Sequence, residues 1–217
     1  MKKIALLSLA LVMALGTLGV AYAMWYDTVT ISGNVQTGTV DIEFLSQSYD
    51  RVYKNLTTDV LVYEHIVTAP GAPAPAYLPY PPNLLVGETT AMVTGPNTMV
   101  ISYNNIFPIP GSGWNGAGYW FTDFLLHNNG SVPVKLEVDL VVSPSLAGLT
   151  VVAITDTPTS FPPGAPLEGI QLDPFQSIST GIGVFIPDDN AYQNLVGNIT
   201  LTIHGVQWNE YSPGPPP

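Results

Sequence analysis

The chain is 217 residues long, 46% apolar and only 10% charged, with no cysteine. That balance argues against intrinsic disorder and rules out thiolate chemistry, disulfide staples and a Cys-ligated zinc site. The formal net charge is −11, and all sixteen acidic residues follow Ala23, where only Arg51, Lys54 and Lys135 oppose them. From residue 24 onward the net charge is therefore −13, which argues against nucleic acid or anionic lipid as partner and favours cations at the surface.

The first residues have the layout of a secretion signal. Lys2-Lys3 precedes an apolar run from Ile4 to about Val20, and Ala21-Tyr22-Ala23 supplies the small-x-small tripeptide, so cleavage is expected after Ala23. A membrane-spanning helix is the competing reading. The run is about 17 residues, interrupted by Gly16 and Gly19, and ends in a cleavage-type tripeptide, so no stable span is expected in the mature chain. Residues 1–23 are thus a signal peptide, and the mature chain is secreted.

Residues 24–37 follow as an N-terminal strand. Trp25, Val29, Ile31 and Val35 fall on one face, while Tyr26, Thr28, Thr30, Ser32 and Asn34 fall on the other; Asp27 breaks the pattern once. A strand at a free chain end pairs within its own subunit or reaches a neighbour's sheet edge. From Gly38 the alternation resumes in Val40, Ile42 and Phe44. Asp50 to Lys54 reads as a connection, and Thr58 to Thr68 as a buried strand, because its apolar residues run together.

Residues 69–118 carry nine Pro and seven Gly, with Tyr77, Tyr80, Phe107 and Trp114 among them. Proline donates nothing to a ladder, so this insert reads as long surface excursions containing one strand, Thr98 to Tyr103. It is either a rigid cover or a set of lateral contacts between subunits. Tyr119 to His127 is an apolar strand, Asn128-Asn129-Gly130-Ser131 a hairpin turn, and Val132 to Val142 the return, with Val134, Leu136, Val138, Leu140 and Val142 on one face. Leu149 to Thr155, Ser177 to Ile186 and Asn198 to Trp208 give three more strands, with one helical turn near Ala191 to Leu195. Residues 212–217 form a polyproline-like tail. The whole is all-β: residues 38–211 make an antiparallel sandwich of jelly-roll or immunoglobulin-like shape with long Pro/Gly-rich loops.

Little in the chain is arranged for catalysis. His65, His127 and His204 are the only imidazoles and none sits in a His-Glu-x-x-His arrangement. Gly111-Ser112-Gly113-Trp114-Asn115-Gly116 matches a dinucleotide fingerprint in letters only, since it precedes a strand. No enzymatic activity and no cofactor are expected. Asp188-Asp189-Asn190 is an oxygen-rich turn able to hold calcium, with a solvated turn as the plainer alternative. Asn55, Asn129 and Asn198 begin glycosylation sequons.

Three stretches carry a family resemblance. Tyr22-Ala23-Met24-Trp25-Tyr26-Asp27 leading into Asn34 to Ile42, the segment Leu125 to Val134, and Leu172 to Ser177 with Gly197 to Trp208 together resemble the TasA/camelysin family of biofilm-fibre proteins, archaeal bundling pilins in particular. The match spans the N-terminal quarter and the C-terminal half, not the Pro-rich insert. It implies a jelly-roll subunit that polymerises head to tail by donor-strand complementation, with Trp25, Tyr26, Val29, Ile31 and Val35 in the donor strand. The function implied is an extracellular filament or pilus serving adhesion, bundling and biofilm formation. A monomeric surface module binding glycan or calcium is the alternative.

Overall fold

The computed structural model describes residues 11–13, 38–77, 83–108, 117–155 and 165–211. The signal cleavage site after Ala23 and the strand with Trp25, Tyr26, Val29, Ile31 and Val35 lie outside the described residues, as does the tail 212–217. The chain divides at Thr37/Gly38 into two units. The first is described only at 11–13, a short helical piece; the second holds every described strand. No helix among the described residues is long and apolar enough to cross a membrane.

Among the described residues eleven strands form two antiparallel sheets, a sandwich. They are β1 (Ile42–Phe44), β2 (Gln47–Asn55), β3 (Leu61–Thr68), β4 (Asn83–Gly95), β5 (Thr98–Ile106), β6 (Ala117–Asn128), β7 (Val134–Val142), β8 (Thr150–Thr155), β9 (Gln171–Leu172), β10 (Ser177–Pro187) and β11 (Leu195–Gln207). The smaller sheet runs β1-β6-β10-β8 and the larger β3-β2-β4-β5-β11-β7-β9. Period-2 alternation turns Trp120, Phe124 and Leu126 of β6 and Ile182, Val184 and Ile186 of β10 onto the inner face of the small sheet. Met99, Ile101 and Tyr103 of β5, Val134 and Leu136 of β7, and Ile199, Leu201 and Ile203 of β11 meet them from the large one. Each such side chain contributes about 1.5–3 kcal/mol on burial, before conformational entropy is counted.

Four expectations need correction. Asp50 to Lys54 is not a connection but part of β2, a nine-residue strand; its polarity hid it, because its charges are paired on both faces. Thr58 to Thr68 is a strand but not a buried one: β3 is an edge, with Val62, Tyr63 and Val67 exposed. The insert is not all excursion, because its prolines crowd into 70–82 and 108–110 and leave room for β4 and β5, joined around Pro96-Asn97 as a hairpin. Finally, Asn128-Asn129-Gly130-Ser131 does not close a hairpin, because β6 belongs to one sheet and β7 to the other.

That last turn is a corner between sheets, and its bonding explains why. The buried Asn128 amide donates to the carbonyls of Val132 (2.9 Å) and Leu172 (3.1 Å), and its oxygen accepts the Gly130 N–H at 3.0 Å. Residues 39–41 tie down the outside: Asn129 N–H meets the Asp41 carbonyl and Ser131 N–H the Thr39 carbonyl, both at 2.9 Å. Any side chain at Gly130 would drive its Cβ into the Thr39 carbonyl. The expected helical turn is a 3-10 turn at Asn190–Tyr192.

Candidate functional site

The two sheets are unequal, and the difference opens a cleft. On the side of β6 away from β10, strand pairing among the described residues consists of β1 opposite Leu126 to Asn128. The Leu45 N–H on the Leu125 carbonyl and the Leu125 N–H on Ser46 Oγ extend it by one residue. β6 continues to Ala117, whereas the chain leaves β1 for the large sheet as β2. Between β6 and the β2–β3 pair lies a cavity of about 340 Å³, walled by Val52, Tyr63, Tyr119, Trp120 and Phe121 and rimmed by Asp50 and His65. Trp120 is fixed by its indole N–H on the Phe107 carbonyl (2.8 Å) and by an edge-to-face contact with Phe107. Tyr119 stacks on Phe121, and β10 offers Gly181 and Gly183 beneath the two rings, where a Cβ would collide.

A charged cluster bridges the sheets at this rim. Asp50 and His65 are cross-strand partners on β2 and β3, and His65 Nδ1 lies 2.6 Å from Asp50 Oδ1. His65 Nε2 lies 3.3 Å from Asp123 Oδ1 on β6. The Asp50 hydrogen bond holds the imidazole above its ordinary pKa, against a smaller opposing effect of burial. Burial raises the Asp50 carboxyl above its usual range, with His65 working the other way. Burial also pushes the nearby Tyr103 phenol far up. An imidazole held between carboxylates from β2 and β6 ties the two sheets together at this rim.

On the opposite face of β2, Arg51 is 1% exposed and fully engaged. Its Nε reaches Glu88 Oε1 at 3.0 Å, one terminal nitrogen Glu64 Oε2 at 3.4 Å and the other the Pro75 carbonyl at 2.9 Å, with the Tyr77 ring 4.3 Å from its guanidinium carbon. Burial alone would lower the Arg51 pKa; Glu88 and Glu64 outweigh it and raise it. This network straps residues 72–77 of the Pro-rich segment over the large sheet, helped by the Gln47 amide on the Ala72 carbonyl at 2.8 Å.

The remaining expected residues are scattered. Asn55 ends β2 and caps its turn, its oxygen accepting from Thr57 and Thr58 N–H. Asn129 is exposed and donates to Asp41 Oδ2 at 3.1 Å. Asn198 is exposed on β11, its main-chain N–H on Ser143 Oγ. Asp188 and Asp189 are exposed, and Asp189 caps the 3-10 turn through the Ala191 N–H; among the described residues no three acidic or imidazole groups converge as a metal site. His127 contacts its cross-strand partner Ser177 at 2.9 Å, and His204 lies 3.6 Å from Asp139, its diagonal neighbour on β7. Sequence reasoning did not single out Asp50, Arg51, Glu88 or Asp123. The charges of β2 beside an isolated His were the available signal. Comparison with family models, with curated proteins and with solved structures gave no match.

Proposed function

We propose that this chain is the repeating subunit of a secreted, extracellular filament serving adhesion and biofilm, in which the strand Met24 to Val35 of one copy enters the cleft beside β6 of the next. The observation that carries the reading is the mismatch at that edge: β6 has 12 residues and β1 only 3. Met24 to Val35 matches β6 in length, about 40 Å at roughly 3.3 Å per residue. Its apolar face, Trp25, Val29, Ile31 and Val35, complements the aromatic walls of the cavity, and each buried side chain would contribute about 1.5–3 kcal/mol before ordering costs. A head-to-tail contact of this kind does not close on itself, and so it builds a fibre. The resemblance to biofilm-fibre proteins points the same way, and on this reading the subunit has no catalytic role.

Deletion of Trp25 to Val35 tests it. Electron microscopy should show polymers lost, and the remaining subunit should stay soluble with a lowered melting temperature. Filaments unchanged by the deletion would overturn the proposal.

A further inference from the structure

The outer edge of β3 has the chemistry of a second contact surface. Asn55 N–H bonds the Val60 carbonyl at 2.9 Å. Antiparallel alternation then turns the main-chain groups of Val62, Glu64, Ile66 and Thr68 toward β2 and those of Leu61, Tyr63, His65 and Val67 outward. Those four outward N–H and four outward C=O groups meet no hydrogen-bond partner among the described residues. Sheet edges are ordinarily blunted by a bulge, a proline or a lysine. Leu61–Thr68 has none of these: its register with β2 is unbroken, and Val62, Tyr63 and Val67 are 42%, 56% and 51% exposed.

We infer that this edge pairs with β3 of a second copy, antiparallel about a two-fold axis at Glu64. A second strand satisfies alternating outward donors and acceptors together, and three features favour this one. First, the register with Glu64 on the axis is the symmetric one that pairs all four outward residues among themselves, Leu61 with Val67 and Tyr63 with His65, which satisfies every outward group. Second, Val62 then faces Ile66 on the adjoining positions, apolar against apolar. Third, on a chain of net charge −11 two copies repel almost everywhere, but the one carboxylate that the axis sets against its own copy, Glu64, is paired within each subunit. Glu64 is held by Arg51 at 3.4 Å and by the Tyr53 hydroxyl at 3.0 Å, His65 by Asp50, and Lys54 by Asp59 at 2.7 Å. The contact is isologous, so it joins subunits sideways; it uses the main-chain edge of β3, whereas the cleft proposed to receive the N-terminal strand uses the Tyr63 and His65 side chains of the same strand.

The absence of native cysteine makes the register directly testable in the full-length chain. In the Val62→Cys/Ile66→Cys variant the two positions are about 13 Å apart within one chain, too far to bridge, but face each other across the axis. Mild oxidation should convert most of the double variant to a covalent dimer on a non-reducing gel, while Val62→Cys or Ile66→Cys alone stays monomeric. No cross-link in the double variant, or cross-links in either single variant, would overturn the pairing. So would a disulfide between Val62→Cys and Ile31→Cys, which would assign the edge to the N-terminal strand. Val62→Lys supplies the second readout. With an unchanged melting temperature, it should reduce lateral pairing at least tenfold by light scattering, or leave fibres single where the native chain pairs them. Native chains that never associate sideways would also sink the inference, whatever the fate of the head-to-tail contact.

Discussion

Asp50 and Arg51 are adjacent on β2, and strand alternation sends them to opposite faces with opposite fates. Arg51 is sealed under residues 72–77, with partners from β3, β4 and the strap. Asp50 lies on the cleft side, sharing with Asp123 a single imidazole that is 46% exposed. A buried charge held by several partners is locked in one state, whereas two carboxylates that share an imidazole at a solvent rim feel that ring's proton. One face is built to stay shut; the other can respond to its surroundings.

The largest expected effect comes from breaking the sealed face. Arg51→Ala leaves Glu64 and Glu88 facing each other, 17% and 11% exposed, without a cation. Loss of one partner from a buried pair costs about 3–5 kcal/mol. Urea denaturation should show that loss, and Arg51→Met combined with Glu64→Gln and Glu88→Gln should recover much of it. A loss below about 1 kcal/mol for Arg51→Ala would mean the network is not load-carrying in solution and would erase the contrast.

A smaller effect should come from the strap's other anchor. Gln47 is fully buried; its amide donates to the Ala72 carbonyl and the Tyr49 hydroxyl, and its oxygen accepts the Gly71 N–H. Gln47→Ala removes these bonds in an enclosed site and should cost about 1–3 kcal/mol. Limited proteolysis should then cut within 69–77 faster than in the native chain, while β6 and β10 keep their hydrogen-exchange protection. Uniform loss of protection in both sheets would instead show that strap and sandwich unfold as one unit.

The contrast also explains what the sequence could reveal. Strands facing the core on one side and water on the other, such as Val134–Val142, are legible because apolar and polar residues alternate. β2 is illegible for the opposite reason: Gln47, Ser48 and Arg51 are buried polar groups, and burial satisfied by hydrogen bonds leaves no hydrophobic signature. β3 misleads because an apolar run suits either a buried strand or an edge reserved for another chain. The β6–β7 corner resembles a hairpin in sequence because Asn-Asn-Gly-Ser encodes a turn without encoding which sheet follows. The cleft was beyond sequence reading altogether, since its walls come from β2, β3 and β6, assembled only by the fold.

The smallest effect tests the open face. The His65 pKa is raised above the ordinary 6.5, first by its Asp50 hydrogen bond and then by the charges of Asp50 and Asp123, against burial. A raised folded-state pKa gives stability that is complete below the unfolded value and disappears as pH rises through the folded one. Asp50 is also raised, from 3.8, so stability from its protonated form is complete below that value and is lost as pH rises through the folded-state one. The other ionisable groups near the ring are Asp123, Tyr63 at the cleft wall and Tyr103, whose phenol burial keeps protonated throughout this range, while Arg51 and Glu64 pair on the opposite face. The melting temperature should therefore fall as pH rises from the ordinary imidazole range through the raised folded-state pKa, and only slightly, because solvent screens a ring that is half exposed. His65→Asn should flatten that slope while leaving the Arg51→Ala penalty intact. If the variant keeps the native slope, the proton responsible resides elsewhere, and the rim is as inert as the sealed face behind it.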